Sequence, residues 1–175
     1  MAFADRFETP RCKLVRATKS DLDAVTRVFD DNDEFLTSTG VQLRPRELAE
    51  DTVFNRTLPP NGQTKRAFTY GICTKTDKSL VGVLEFYVGY PDETCLWIAK
   101  LYLRKAAQGM QYGRGVVSEV EATAKRNGML EIRIAINVPN WGALWFWSRV
   151  GYTDICGVHG PSSPPEGMVV LSKRL

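Results

Sequence analysis

Three glycines, Gly109, Gly113 and Gly115, fall within seven residues, where a run of strand character over residues 94–103 passes into a helical run over 112–126. A clean alternation follows, in which Leu130, Ile132, Ile134 and Ile136 interleave with Glu131, Arg133, Ala135 and Asn137, as a half-buried strand requires. Strand, glycine-rich turn, helix and strand in that order make a β-α-β unit, which ties two strands of a sheet to one crossover helix. The turn, 108–115, lets the backbone approach a ligand closely and points successive N–H groups outward. With the partial positive charge of a helix N-terminus behind it, a phosphate or pyrophosphate fits there. It is not a Walker A loop, because no Gly-Lys-Ser/Thr follows, nor a G-x-G-x-x-G dinucleotide loop. An ordinary glycine-rich turn is the competing interpretation.

The rest of the chain surrounds this unit with antiparallel elements. A short strand is expected at 12–17, followed by an amphipathic helix over 20–29, where Leu22, Val25, Val28 and Phe29 recur at helical spacing. A second helix is expected over about 46–56, ended by Pro59-Pro60-Asn61-Gly62. Strands at 68–74, 80–90 and 94–103 form a meander, and Asn127-Gly128 ends the helix at 112–126. A short aromatic helix at 140–149 and strands at 152–158 and 168–173 complete the order β-α-α-β-β-β-α-β-α-β-β. This is an α/β chain with a mixed sheet, expected to form one domain over residues 1–175.

Composition removes several function classes. The 175 residues carry 23 Lys and Arg against 20 Asp and Glu, and a net charge of +3 is too weak for a dedicated nucleic-acid binder. The longest apolar run, 81–90, is interrupted by Glu85 and too short to span a membrane. The first residues are charged throughout, with no apolar leader, so a cytoplasmic location is expected. Cys12, Cys73, Cys95 and Cys156 form no C-x-x-C pair, and His159 is the lone histidine. Neither a metal site nor a Ser-His-Asp or Cys-His hydrolase is expected from that set.

The segment Trp97 to Leu103, followed by Gln108-x-x-Gln111-x-Gly113, resembles motif A of the GNAT superfamily of N-acetyltransferases, whose pattern is Gln/Arg-x-x-Gly-x-Gly/Ala. Further on, Asn140-Trp-Gly-Ala143-Leu-Trp-Phe146-Trp147-Ser-Arg-Val-Gly151-Tyr152 is similar to the family's Asn-x-x-Ala-x-x-Phe-Tyr-x-x-x-Gly-Phe stretch. The resemblance is best over about 80–153 and implies a GNAT-like acyl-CoA N-acyltransferase fold. By that resemblance, backbone groups of Leu101, Tyr102 and Leu103 pair with the pantetheine amides of acetyl-CoA. Backbone N–H groups across Gln108, Gly109, Met110, Gln111, Tyr112, Gly113, Arg114 and Gly115 hold its pyrophosphate, with Arg114 as a charge partner. Asn140, Ala143 and Trp147 lie along the coenzyme. Gln111 stands where the family's middle glycine usually sits. Trp147 takes the place of a tyrosine that protonates the leaving thiolate in many members, and an indole N–H cannot act as that acid.

The implied reaction is direct attack of a primary amine, of a small molecule or a peptide, on the acetyl thioester, with no metal. A backbone N–H near Leu103 stabilises the oxyanion. The alternative is a coenzyme-A-binding regulatory or interaction domain with little turnover. Glu85, between Leu84 and Phe86 on an apolar strand, is the candidate base; a salt bridge to Lys100 on the next strand is the competing role. The acidic run Asp30-Asp31-Asn32-Asp33-Glu34 is either an attractor for a cationic acceptor or a solvated loop. His159, in a loop, is an alternative base. Trp141 and Trp145 share one helix face, which leaves room for a homodimer as well as a monomer.

Overall fold

The computed structural model describes residues 3–55, 58–160 and 167–175. Strands β1 (Arg6–Glu8) and β2 (Cys12–Arg16) precede three helices, α1 (Leu22–Asp30), α2 (Asp33–Ser38) and α3 (Pro45–Glu50). The meander β3 (Ala67–Thr74), β4 (Leu80–Val88) and β5 (Cys95–Leu103) comes next, then α4 (Tyr112–Arg126) and β6 (Glu131–Asn137). Helix α5 (Trp141–Arg149) and the hairpin of β7 (Asp154–His159) and β8 (Met168–Arg174) close the chain. The strands form one sheet in the order β1-β2-β3-β4-β5-β6-β8-β7. Every neighbouring pair is antiparallel except β5 and β6, the two strands of the β-α-β unit. The expected mixed sheet is the observed one.

Alternation along the strands divides the core in two. Leu84 and Phe86 face one side of β4, where Leu14, Tyr70, Ile72, Leu96 and Ile98 pack against Val116, Val117, Val120 and Ala124 of α4 and Trp147 of α5. Val83 faces the other side and meets Val25, Val28 and Phe29 of α1, Leu36 of α2, and Leu48, Ala49 and Val53. The helical spacing of the α1 residues thus marks a buried face, as expected.

Four local readings change. Strand β1 is absent from the expected order; it is three residues long, with only Phe7 turned inward between exposed Arg6 and Glu8. Helix α2 occupies part of the acidic run instead of a loop. The helix expected over 46–56 begins with Pro45 in its first turn and gives way to a π-helical turn over Asp51–Asn55. There the Thr52 hydroxyl donates to the Leu48 carbonyl at 2.7 Å, competing with the helical ladder. His159 ends β7, paired with Met168, instead of lying in the following loop; residues 161–166 of that loop lie outside the described residues.

Strand β5 carries the irregularity that matters most. Glu85 of β4 pairs with Lys100 and Phe86 with Ile98, so Ala99 is an extra residue, a β-bulge. The parallel pairing of β5 with β6 runs from Cys95/Glu131 to Ile98/Ile134 and stops there. Beyond it β6 keeps its bonds to β8, and residues 100–103 keep their pairing with β4. The two strands therefore splay apart on the side toward which both run.

Helix α4 starts at this open end. Its N-cap, Gln111, has φ 68° and ψ 5°, a left-handed conformation that strains a residue with a Cβ. Replacing Gln111 with Gly removes roughly 1–2 kcal/mol of strain and gives back roughly 0.5–1 kcal/mol through the freer unfolded chain. We expect Gln111→Gly to raise the melting temperature by about 1–4 °C, read by differential scanning calorimetry. A fall would show that the side chain contributes more than the strained backbone loses.

Candidate functional site

The gap between β5 and β6 opens into a cleft of about 980 Å³. Its walls are residues 99–103 of β5 and Ile134 to Asn137 of β6, with the first turn of α4 and one face of α5 at its outer end.

Which backbone groups face the gap follows from the ladder. The Arg104 N–H donates to the Val81 carbonyl at 2.8 Å, so Val81 and Arg104 are a hydrogen-bonded pair. Such pairs alternate along antiparallel strands. Val83/Tyr102 is then hydrogen-bonded, whereas Gly82/Leu103 and Leu84/Leu101 are not. Leu101 and Leu103 consequently turn their N–H and C=O away from β4, toward the gap. The expectation for Tyr102 needs correction: its backbone is bonded to β4, and its ring packs edge-on against Phe29 at 5.4 Å.

At the outer end, the first backbone bond of α4 closed onto its N-cap runs from Gly115 N–H to the Gln111 carbonyl, 3.1 Å. The N–H groups of Tyr112, Gly113 and Arg114 precede it and lie at the positive end of the helix. A Cβ on Gly113 would sit 3.2 Å from the Phe146 ring, so glycine there lets α4 and α5 close together. Asn140 caps α5, its Oδ1 accepting from Ala143 N–H at 2.9 Å.

Most residues singled out in the sequence converge on this cleft. Gln108, Gly109, Gln111, Tyr112, Gly113 and Arg114 line it, as do Leu101, Tyr102, Leu103, Asn140, Ala143 and Trp147. Met110 and Gly115 do not: Met110 is exposed, and a Cβ on Gly115 would face Thr9. Trp147 also belongs to the core, 4% exposed and edge-on to Phe146 and Tyr152 at 5.1 and 4.9 Å. Trp141 and Trp145 are both exposed, and Trp145 borders the cleft.

Glu85 is 1% exposed and does not line the cleft. Its Oε2 lies 2.6 Å from Lys100 Nζ, which is also 3.3 Å from Asp51 Oδ2. The ion pair that competed with the catalytic role is present, and Lys100 is the member that reaches the cleft. The acidic run splits: Asp31 pairs with Arg104 at 2.8 Å, Asn32 is buried, and the remaining carboxylates are exposed. None of the four carboxylates lines the cleft. His159 is exposed and lies outside the cleft.

Sequence reasoning missed the helical side of the site. Asn32, Phe35 and Thr39, from α2 and its flanks, line the cleft. Helix α2 spans its mouth, because Asn32 Nδ2 donates to the Leu103 carbonyl on β5 and Asn137 Nδ2, on β6, donates to the Thr39 carbonyl. Cations were missed too: Lys100, Lys105 and Arg149 join Arg114 along the lining, and no Asp or Glu is among its described residues. The positive lining was hidden in a nearly balanced total charge, since the acids are spent on surface pairs elsewhere. A basic lining with backbone donors and a helix N-terminus suits a polyanion that carries amide groups.

Comparison with known proteins agrees with this geometry. The family model described as acetyltransferase (GNAT) family matches residues 28–152. No functionally curated protein matches the sequence. An acetyltransferase from Thermus thermophilus superposes with a TM-score of 0.71 at 18% identity, covering 97% of this chain and all of that one (100%). A probable GNAT acetyltransferase from Chromobacterium violaceum gives 0.78 at 14% identity, covering 99% and 87%. The ribosomal L7/L12 alpha-N-protein acetyltransferase RimL gives 0.76 at 15%, covering 99% and 96%. At these identities the superpositions speak for the fold alone. The family model spans the bulged strand, the glycine-rich turn, α4 and α5, and on that match the chain belongs to the GNAT family, as an acyl-CoA N-acetyltransferase.

Proposed function

We propose that the protein, as one domain over residues 1–175, transfers the acetyl group of acetyl-CoA to a primary amine of a small molecule or a peptide. The reaction is direct attack in a ternary complex. The observation that carries this reading is the splay of β5 from β6, with Leu101 and Leu103 backbone groups turned into it and the positive end of α4 at its mouth. Pyrophosphate fits against the N–H groups of Tyr112 to Arg114, with Arg114 and Lys105 supplying charge. Pantetheine then runs inward, its amides meeting the β5 backbone as an added strand would. The thioester lies toward the closed end of the gap, so the Leu101 N–H, deeper than that of Leu103, is the donor for the developing oxyanion. Catalysis in this scheme comes from positioning and exclusion of water, without a covalent enzyme intermediate.

The site does not reproduce the expected role of Glu85. A carboxylate 1% exposed and paired with an ammonium serves first to hold Lys100 at the cleft. Trp147 fills the tyrosine position with a ring locked in the core. Proton transfer from that position is not part of the mechanism.

Three outcomes follow. At a concentration about a hundred times its Kd, acetyl-CoA will stabilise the fold by roughly 2.7 kcal/mol and raise the melting temperature by about 5–10 °C. Release of free thiol with primary amines or peptide N-termini then measures turnover; binding without release across a broad amine panel would favour the regulatory alternative. Glu85→Gln will lower stability by about 3 kcal/mol, since it leaves Lys100 short of one counter-charge, while kcat of the folded enzyme stays within about threefold. A kcat loss of two orders of magnitude with a flattened pH profile would restore Glu85 as the base. Trp147→Phe will likewise keep kcat within about threefold, because no proton passes through the indole, and will lower stability by about 1–3 kcal/mol through the cavity it leaves.

A further inference from the structure

We propose that Asn32 is a positioning residue for coenzyme binding, fixing the Leu103–Arg104 peptide and the Gln108 side chain in the orientation that pantetheine meets. The proposal rests on the acetyl-CoA reading above. Asn32 is 5% exposed at the junction of α1 and α2. Its Nδ2 donates to the Val28 carbonyl at 2.7 Å and to the Leu103 carbonyl at 3.0 Å. Its Oδ1 accepts from Gln108 Nε2 at 3.1 Å, and that same Nε2 donates to the Leu103 carbonyl, also at 3.1 Å.

The bond to Val28 is local, a side-chain donor on a carbonyl in the last turn of α1. The other two are not, because they reach 71 and 76 residues along the chain to the strand and turn that build the cleft. Together, Asn32 and Gln108 fill both acceptor positions of the Leu103 carbonyl. The same planar peptide is held from its other edge, where Arg104 N–H donates to Val81. The Leu103 carbonyl is thus satisfied before any ligand arrives, which leaves the N–H as the group that Leu103 itself turns into the gap. Pantetheine must present a carbonyl to it, and the register of the coenzyme on β5 is set by a residue on the opposite, helical side of the cleft.

Two variants of the full-length protein test this. Asn32→Ala removes all three bonds. Asn32→Ser buries no charge, suits the start of α2 where Asn32 stands, and is too short to reach Leu103, so it stays folded where alanine fails. Calorimetric titration is done with coenzyme A and with 3′,5′-ADP, its nucleotide portion without pantetheine. We expect CoA to bind about tenfold more weakly to either variant, and 3′,5′-ADP to change by less than about twofold. A purely structural Asn32 would lower the melting temperature and leave the Kd of CoA unchanged, or weaken both ligands equally; either result overturns the proposal. Failure of the unsubstituted protein to bind CoA would instead overturn the acetyl-CoA reading, and this inference with it.

Discussion

A strand inside a sheet normally spends its backbone N–H and C=O groups on two neighbours, and β5 does so only as far as Ile98. The extra residue, Ala99, bends the strand and shifts its register on β4, while β6 stays bonded to β8 along its full length. Pairing between β5 and β6 cannot survive that divergence. The result is a set of backbone groups facing a gap, and buried backbone groups without partners are costly. One of them, the Leu103 carbonyl, is satisfied internally by Asn32 and Gln108. The others form a row of donors and acceptors at strand spacing, which an extended chain of amides matches and most other ligands do not. Ligand selection in this fold therefore begins with a defect in strand pairing.

The two faces of the sheet use that defect differently. On one face, α4 and α5 pack on the main core and close together where Gly113 meets Phe146, which sets the outer end of the cleft. On the other face, α1 to α3 cover Val83 and carry α2 across the mouth of the gap. The Glu85–Lys100 pair lies between these layers. Burying two charges is repaid only by close geometry, here 2.6 Å with Asp51 as a second partner for the ammonium. The arrangement places one partly buried cation in the lining of the cleft, while its counter-charges Glu85 and Asp51 stay out of that lining.

Legibility in the sequence followed the range of the forces involved. Helix α4 was readable to the residue, because Val116, Val117, Val120 and Ala124 make one face and Asn127-Gly128 stops it. Strand β6 and the turn at 108–115 were equally local signals. Helix α2 was not readable: six residues give less than two turns, and its acidic start looks like a solvated loop. The direction of Tyr102's backbone was beyond reach as well. It depends on the phase of the β4–β5 ladder, set by the bulge, and Ala99 carries no residue signal for one. Asn32 was hidden for a related reason, since its partners are fixed only once β5 and the turn have folded against α1.

Trp147 shows how packing and chemistry can part at one position. Its ring fills the core against Phe146 and Tyr152, a place any large aromatic side chain would hold, so the fold tolerates tyrosine or tryptophan there. The chemistry does not transfer, because indole gives up no proton at neutral pH. In the proposed reaction the leaving thiolate must then be stabilised as an anion. The cations available for that are Arg114, Lys105 and Arg149, which line the cleft, whereas Lys100 near the bulge is already matched by Glu85 and Asp51. A preorganised positive field lowers the energy of a departing anion without a proton donor. In the proposed reaction, Trp147 leaves the thiolate to be met by the charge of the cleft lining instead of by a proton from α5.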